Sequence, residues 1–228
     1  KALMNNLIND ICVPVVNGSP KVAAYHRKAL NINNFSFNNI RSADEANPKK
    51  ANMINCLDDN VRVELGKSTA QGGEAALVSL ERAIDDLKNG KINVLITAPI
   101  DKKNIQSEKF NFKGHTEYLR AKAGADDVLM FMISENMRIG FATGHVPLRK
   151  VPEVITVDLL ERKLKLMNQS LILDFGIRKP QIAVLGLNPH AGDNSRLGWE
   201  HEEDIITVRK HLEKERLMAL EPLHGDGF

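Results

Sequence analysis

The chain has 228 residues, 43% hydrophobic and 26% charged, enough apolar material for a substantial core in one large domain or two small ones. A formal net charge of only +2, with no long basic run, argues against a sequence-independent nucleic-acid binder. No apolar stretch approaches the roughly 20 residues of a membrane span; with two cysteines and no secretory pattern, reduced thiols and a cytoplasmic location are the expectation.

Taken in order, "KALMNNLIND" reads as helix and "ICVPVVNG" as a buried strand ending at Gly18, with Cys12 inside it. In "SPKVAAYHRKAL", Ser19 is a plausible N-cap and Pro20 suits the first helical position. Residues 31–67 carry weaker signals: "NINNFSFNNI" alternates partly, "SADEANPKKAN" is loop-like, and "VRVELG" suggests a short strand. "STAQGGEAALVSLERAIDDLKNG" is the strongest helix, with an apolar stripe through Leu77, Leu80 and Ile84 and a stop at Gly90. "INVLITAP" after it predicts a strand buried on both faces of a parallel sheet.

"GHTEYLRAKAG" predicts a short helix. "DVLMFMIS" and "MRIGFATGH", separated by "SENM", predict an antiparallel pair. "VITVDLLERKLKLMNQSLILDFG" predicts a long amphipathic helix ending near Gly176, and "PQIAVLGLNPH" a further buried strand. "WEHEEDIITVRKHLEKE" predicts a helix with acids early and bases late, as the helix dipole prefers. This alternation with an antiparallel insert gives an α/β class, a three-layer α/β/α sandwich with a mixed sheet. The chain opens inside a helix and closes in the turn-rich "EPLHGDGF", so it reads as a segment of a longer polypeptide or one whose ends are unseen.

Chemistry gathers where predicted strands end: "TAPIDKK", "ATGHVPLR" and "GLNPHAGD". His26, His201 and His211 fall in polar helical surroundings and read as solvated, whereas His224 has no clear place. His115, His145 and His190 each follow Gly or Pro, which lets the backbone hold an imidazole at a loop edge. Each could serve as a metal ligand or cap its own segment by local hydrogen bonding. A catalytic metal usually takes three protein ligands, so a third is either His115 or outside the chain. Lys102 and Lys103 could pair with a substrate phosphate or carboxylate, or be ordinary loop charges. Thr116 stands at a helix start, where free N–H groups favour an anion, or is simply that helix's N-cap. Neither GxGxxG nor GxxxxGK[ST] occurs, and "TAQGG" is too loose to count as a phosphate loop. The lone Trp199 reads as packing at a loop edge.

The combination "ITAPIDK", "FKGHTEYL", "ATGHVPLRKV" and "GLNPHAGD" resembles the 4-hydroxythreonine-4-phosphate dehydrogenases of pyridoxine biosynthesis, continuously from about Pro14 to Phe228. The resemblance implies a fold similar to isocitrate and isopropylmalate dehydrogenases, which bind NAD without the usual glycine fingerprint. It implies a two-lobed enzyme of which residues 1–228 form part. The implied reaction is NAD-dependent oxidation of 4-phosphooxy-threonine to a β-keto acid, which decarboxylates to 3-amino-2-oxopropyl phosphate. By motif match, His145 and His190 look like two of three histidine ligands of a divalent metal (zinc, magnesium, manganese or cobalt). His115 and Thr116 look like substrate-binding residues, and Lys102 and Asp226 match positions expected to be catalytic. NAD-contacting residues are not assigned. The resemblance also implies a homodimer with the metal site shared between subunits.

Departures from the family pattern are specific. Its glycine-rich N-terminal motif, third metal histidine and later phosphate-binding residues have no counterpart here, and Lys113 stands where many members have Pro or Thr. An isolated segment of this kind is expected to be inactive. Three other readings remain: a related dehydrogenase acting on another phosphorylated hydroxy acid or a cyclic dihydrodiol, a metal-dependent hydrolase on the same scaffold, and a non-catalytic binding protein.

Overall fold

The structure, a computed structural model, describes residues 2–5, 7–58, 60–187, 202–214, 217–219 and 223. The chain divides into two compact units, Lys1–Ala125 and Asp126–Phe228.

In the first unit, the expected opening helix is only a 3₁₀ turn, Ala2–Met4, and the single turn α1, Ile8–Ile11. Strand β1, Val15–Gly18, follows, and α2, Pro20–Ala29, starts as its sequence dictates: the Ser19 hydroxyl accepts from the Val22 amide at 3.3 Å. Cys12 lies before β1 and is exposed, because the ladder begins only at Val15; the buried-strand expectation is corrected there. Both described thiols are free.

Strands β2, Asn38–Ile40, and β3, Asn52–Asn55, complete a parallel sheet of order β1-β3-β2, with Val16 opposite Met53 and Asn39 opposite Met53 on the other side. The central strand is therefore "NMIN", which starts on Asn52, the last residue of the loop-like "SADEANPKKAN". Its first residue is buried although it is polar. Asn52 is fully buried, and its Oδ1 accepts from Asn38 Nδ2 and the Asn47 amide, both at 2.9 Å. Its Nδ2 donates to the carbonyls of Pro14, Asn47 and Lys50 at 3.2, 3.0 and 2.9 Å. A buried amide so fully paired costs little and ties three segments together.

Helix α3, Ala70–Lys88, is capped by Thr69, whose Oγ1 accepts from the Gly72 amide at 3.1 Å, and ends before Gly90 at φ +69°. Its buried Leu77, Leu80 and Ile84 meet Ile105, Phe110 and Tyr118. Helix α4, His115–Ala123, ends at Gly124 in the left-handed conformation, where the Ala125 amide bonds the Arg120 carbonyl at 3.1 Å.

Two expected strands of this unit are not formed. "VRVELG" pairs with nothing in a described ladder. "INVLITAP" joins no sheet among the described residues, and Val94 and Ile96 are 72% and 87% exposed. Apolar character shows that a segment suits a sheet; it does not supply the neighbour whose N–H and C=O groups must complete it.

In the second unit, β4, Phe131–Ile133, and β5, Arg138–Gly140, form the expected antiparallel hairpin, closed by the Ser134 amide on the Met137 carbonyl at 2.9 Å. After the short α5, Val151–Val154, helix α6, Val157–Leu173, is capped by Thr156 Oγ1 on the Leu159 amide at 3.2 Å. Strand β6, Gln181–Ile182, pairs in parallel with β7, Met218–Ala219, and the pairing resumes at a Leu185–Leu223 bridge. "PQIAVLGLNPH" thus runs beside one partner segment as far as it is described; residues 188–190 lie outside the described residues. Helix α7, Glu202–Lys214, gives Ile205, Val208 and Leu212 to a core with Leu160, Leu164 and Ile182. Lys163 anchors α6 to the segment before β4, donating to Asp127 Oδ1 at 2.5 Å and the Val128 carbonyl at 2.6 Å. His26 and His211 are exposed, as read from their polar helices; Trp199, His201 and His224 lie outside the described residues. No helix among the described residues is long and apolar enough to cross a membrane.

Candidate functional site

The "IDKKNIQ" turn is held from three directions. Asp101 Oδ1 accepts from the amides of Lys103 and Asn104 at 2.8 and 3.3 Å, while its Oδ2 accepts from the Ser68 hydroxyl at 2.5 Å. The Ser68 bond first, then those two amides, hold the Asp101 carboxyl below its ordinary range. Asn104 Nδ2 donates to the Thr69 carbonyl at 3.1 Å, docking the turn on the start of α3. That docking requires Gly73. A Cβ there would lie inside the van der Waals envelope of the Asn104 carbonyl and 3.0 Å from the Ile105 amide. Gln106 Nε2 then donates at 3.0 Å to both the Lys102 and Phe112 carbonyls, joining the turn to the residues before α4.

The result brings Lys102 to the first turn of α4. Its Cε and Nζ lie over buried Gly114, the N-cap residue, 3.6 and 3.8 Å from where a Cβ would stand. His115 is the first residue of α4 and half-buried; burial, then Lys102, holds its imidazole below its ordinary value. Thr116 is the second helical residue. The cap is Gly114, without a side-chain cap bond, so Thr116 is not the N-cap. A helix N-terminus is already electropositive and an adjacent lysine adds to that field, while Glu117 Oε2, also 3.8 Å from the Cβ position at Gly114, offsets part of it. Such a place favours an anion.

Helix α4 is fastened farther along. The Tyr118 ring is fully buried against Phe110 and Phe112, with ring centroids 4.6 and 5.2 Å away. Its hydroxyl donates to Glu81 Oε1 at 3.0 Å, and Lys122 Nζ donates to the same oxygen at 3.0 Å. Lys122 holds the Glu81 carboxyl below its usual range, while burial and then Glu81 raise the Tyr118 hydroxyl.

In the second unit, His145 lies five residues beyond β5, exposed, with φ +55°. A left-handed backbone is uncommon for a non-glycine residue and clusters at functional turns. His190 and Asp226 lie outside the described residues. Among the described residues no three His, Cys, Asp or Glu side chains group as a metal site. His145 suits one position of such a site, an imidazole on an open turn, and the rest of the donor set is not defined by the described residues.

A family model described as "Pyridoxal phosphate biosynthetic protein PdxA" matches residues 10–228. The chain belongs to the PdxA family. It is 45% identical over 221 residues to a 4-hydroxythreonine-4-phosphate dehydrogenase of Bacteroides thetaiotaomicron, covering 96% of this chain and 60% of that protein. A PdxA relative of the same name from Sulfurihydrogenibium is 34% identical over 212 residues, covering 93% of this chain and 65% of that protein. The chain thus spans about three fifths to two thirds of the length of these relatives. A crystal structure of a 4-hydroxythreonine-4-phosphate dehydrogenase from Burkholderia phymatum is similar with a TM-score of 0.84 and 28% identity, covering 99% of this chain and 69% of that one. The α/β class read from the sequence is that of the PdxA family.

The docking of the 101–106 turn was missed from sequence. Its signal was the glycine pair in "TAQGG", too loose for a phosphate loop, whose Gly73 makes room for another backbone. The Glu81–Tyr118 bond carried no local signal, since 37 residues separate the partners.

Proposed function

We propose that the protein is an NAD- and divalent-metal-dependent dehydrogenase that oxidises 4-phosphooxy-threonine to a β-keto acid. The product loses carbon dioxide to give 3-amino-2-oxopropyl phosphate, a step toward pyridoxal phosphate. The observation that carries this reading is the convergence of Lys102 with His115 at the start of α4, in a chain of PdxA sequence. Two sources of positive potential and an imidazole held toward its neutral form suit an anionic substrate with hydroxyl groups.

In this reading His115 and Thr116 hold the substrate, and Lys102 pairs with its negative charge. A neutral imidazole offers one donor and one acceptor nitrogen, so His115 can orient a hydroxyl without adding a second cation beside Lys102. His145 and His190 would hold the divalent cation; its contribution, when bound, is to lower the pKa of the alcohol being oxidised. Asp226 is assigned a catalytic role by its motif. The enzyme is proposed to act as a cytoplasmic homodimer, with the metal site shared between subunits. The hairpin β4–β5, whose Met132 and Ile133 are 62% and 59% exposed, supports an apolar contact surface.

The test is a spectrophotometric assay of the full-length gene product with NAD, a divalent cation and a panel of hydroxy substrates. Metal-dependent NADH formation with 4-phosphooxy-threonine is expected. NADH produced only from a non-phosphorylated diol, or hydrolysis without NADH, overturns the assignment.

A further inference from the structure

Nine residues long, α4 buries Tyr118 fully and packs Leu119 partly against the same core, and otherwise presents mainly polar and charged groups. Its hydrophobic anchorage is thus confined to two adjacent residues in the middle of the helix. Yet its first two residues are the proposed substrate contacts, and turning a helix by one residue swings them by about 100°. The packing of the Tyr118 ring against Phe110 and Phe112 holds the helix at one point, and a polar attachment beside it adds to the control of the angle.

Residues 118 and 122 lie one turn apart on a single face of α4 and reach the same atom, Oε1 of Glu81, each at 3.0 Å. One attachment would act as a pivot, whereas two spaced along the axis fix both rotation and tilt. The Lys122 ammonium also lies 5.3 Å from the Tyr118 ring centroid, so the three groups form one compact cluster. Glu81 belongs to α3, the helix whose start receives the Lys102 turn through Gly73 and Thr69. Both halves of the candidate site are thus referenced to one rigid element.

We infer that Glu81 is a positioning residue: by holding Tyr118 and Lys122 on one carboxylate oxygen, it sets the direction in which His115 and Thr116 face the substrate and the approach of His115 to Lys102. The inference rests on the reading of His115 and Thr116 as substrate contacts.

The experiment compares Glu81→Ala, Glu81→Gln and Tyr118→Phe by three readouts: thermal midpoint, the NMR titration of the His115 imidazole, and KM and kcat for 4-phosphooxy-threonine in the full-length enzyme. For Glu81→Ala, the His115 titration moves up toward the ordinary imidazole value as its contact with Lys102 loosens. KM rises about tenfold with a smaller fall in kcat, the pattern of lost substrate orientation. Glu81→Gln keeps an acceptor for the Tyr118 hydroxyl and recovers most of both effects. If Glu81→Ala does not fold, Tyr118→Phe, which keeps the ring packing and removes one bond, carries the same expectations at smaller amplitude. A lowered midpoint with an unmoved His115 titration and unmoved KM makes Glu81 a stability residue only and overturns the inference. A moved titration with unchanged KM keeps Glu81 as the positioner of His115 and instead removes His115 from the substrate site.

Discussion

Gly73 of α3 and the carbonyl of Asn104 approach so closely that no side chain fits between them. The two residues are 31 positions apart, and their contact seats the turn that carries Lys102. Gly73→Ala should force the helix and turn apart and cost about 1–3 kcal/mol, the usual range for overpacking. Gly72→Ala is the control: its Cβ would meet Thr69 Oγ1, a side-chain atom, at 3.1 Å. The gain of about 1 kcal/mol in helix propensity offsets that strain. Urea titration of both variants measures the difference; equal stabilities would contradict the contact.

Asn52 gives a prediction about the sheet. Asn52→Leu removes five hydrogen bonds and strands buried partners, which should cost about 2–4 kcal/mol. Asn52→Asp should be worse at neutral pH, because a carboxylate would face the carbonyls of Pro14, Asn47 and Lys50. Its folded pKa would be raised, so the deficit should shrink as pH falls through that value. Denaturant curves between pH 4 and 8 test both the size and the sign.

Lys102→Met separates the two causes acting on His115. Burial is the larger, so the titration of His115 should move up only part of the way toward the ordinary value of about 6.5. A group whose folded pKa is lowered contributes stability that is present above its unfolded pKa. That contribution fades as pH falls from there through the folded pKa. The variant should accordingly lose less stability than the parent between pH 7 and 5. Histidine NMR and thermal melts across that window would show whether the lysine acts on this ring.

His145→Gly and His145→Ala both delete the imidazole, but only glycine accepts φ +55° without strain. The glycine variant should be more stable by about 1 kcal/mol. Both should lose divalent-metal binding by calorimetry if this imidazole is a ligand. Undiminished metal binding in either variant would remove the assignment.

His190→Ala should abolish turnover of the full-length enzyme while leaving its circular dichroism unchanged. Retained turnover would withdraw the ligand role given to this motif.

Local rules were legible where the chemistry is local. Ser19 capped α2, Gly90 and Gly176 followed helices, and "SENM" turned a hairpin. The segments "GHTE" and "PIDK" singled out in the sequence do meet in the fold, which brings Lys102 to the start of α4 beside His115. What the sequence hid was non-local. The central strand β3 can open on a buried asparagine because Asn52 finds its partners in other segments. The expected strand at 92–99 failed for the converse reason: it has the right side chains and no neighbouring strand among the described residues. Gly73, Asn104 and Glu81 act through contacts 31 to 37 residues away, beyond the reach of any periodicity.

The uncovered Val94 and Ile96 bear on how this polypeptide behaves in a test tube. A β-rich apolar run that leaves two such side chains in solvent is a candidate for intermolecular stacking. Concentrated or warmed samples of the 228-residue chain should therefore turn turbid sooner than dilute cold ones. A charged residue at position 96 should delay that onset without lowering the melting temperature.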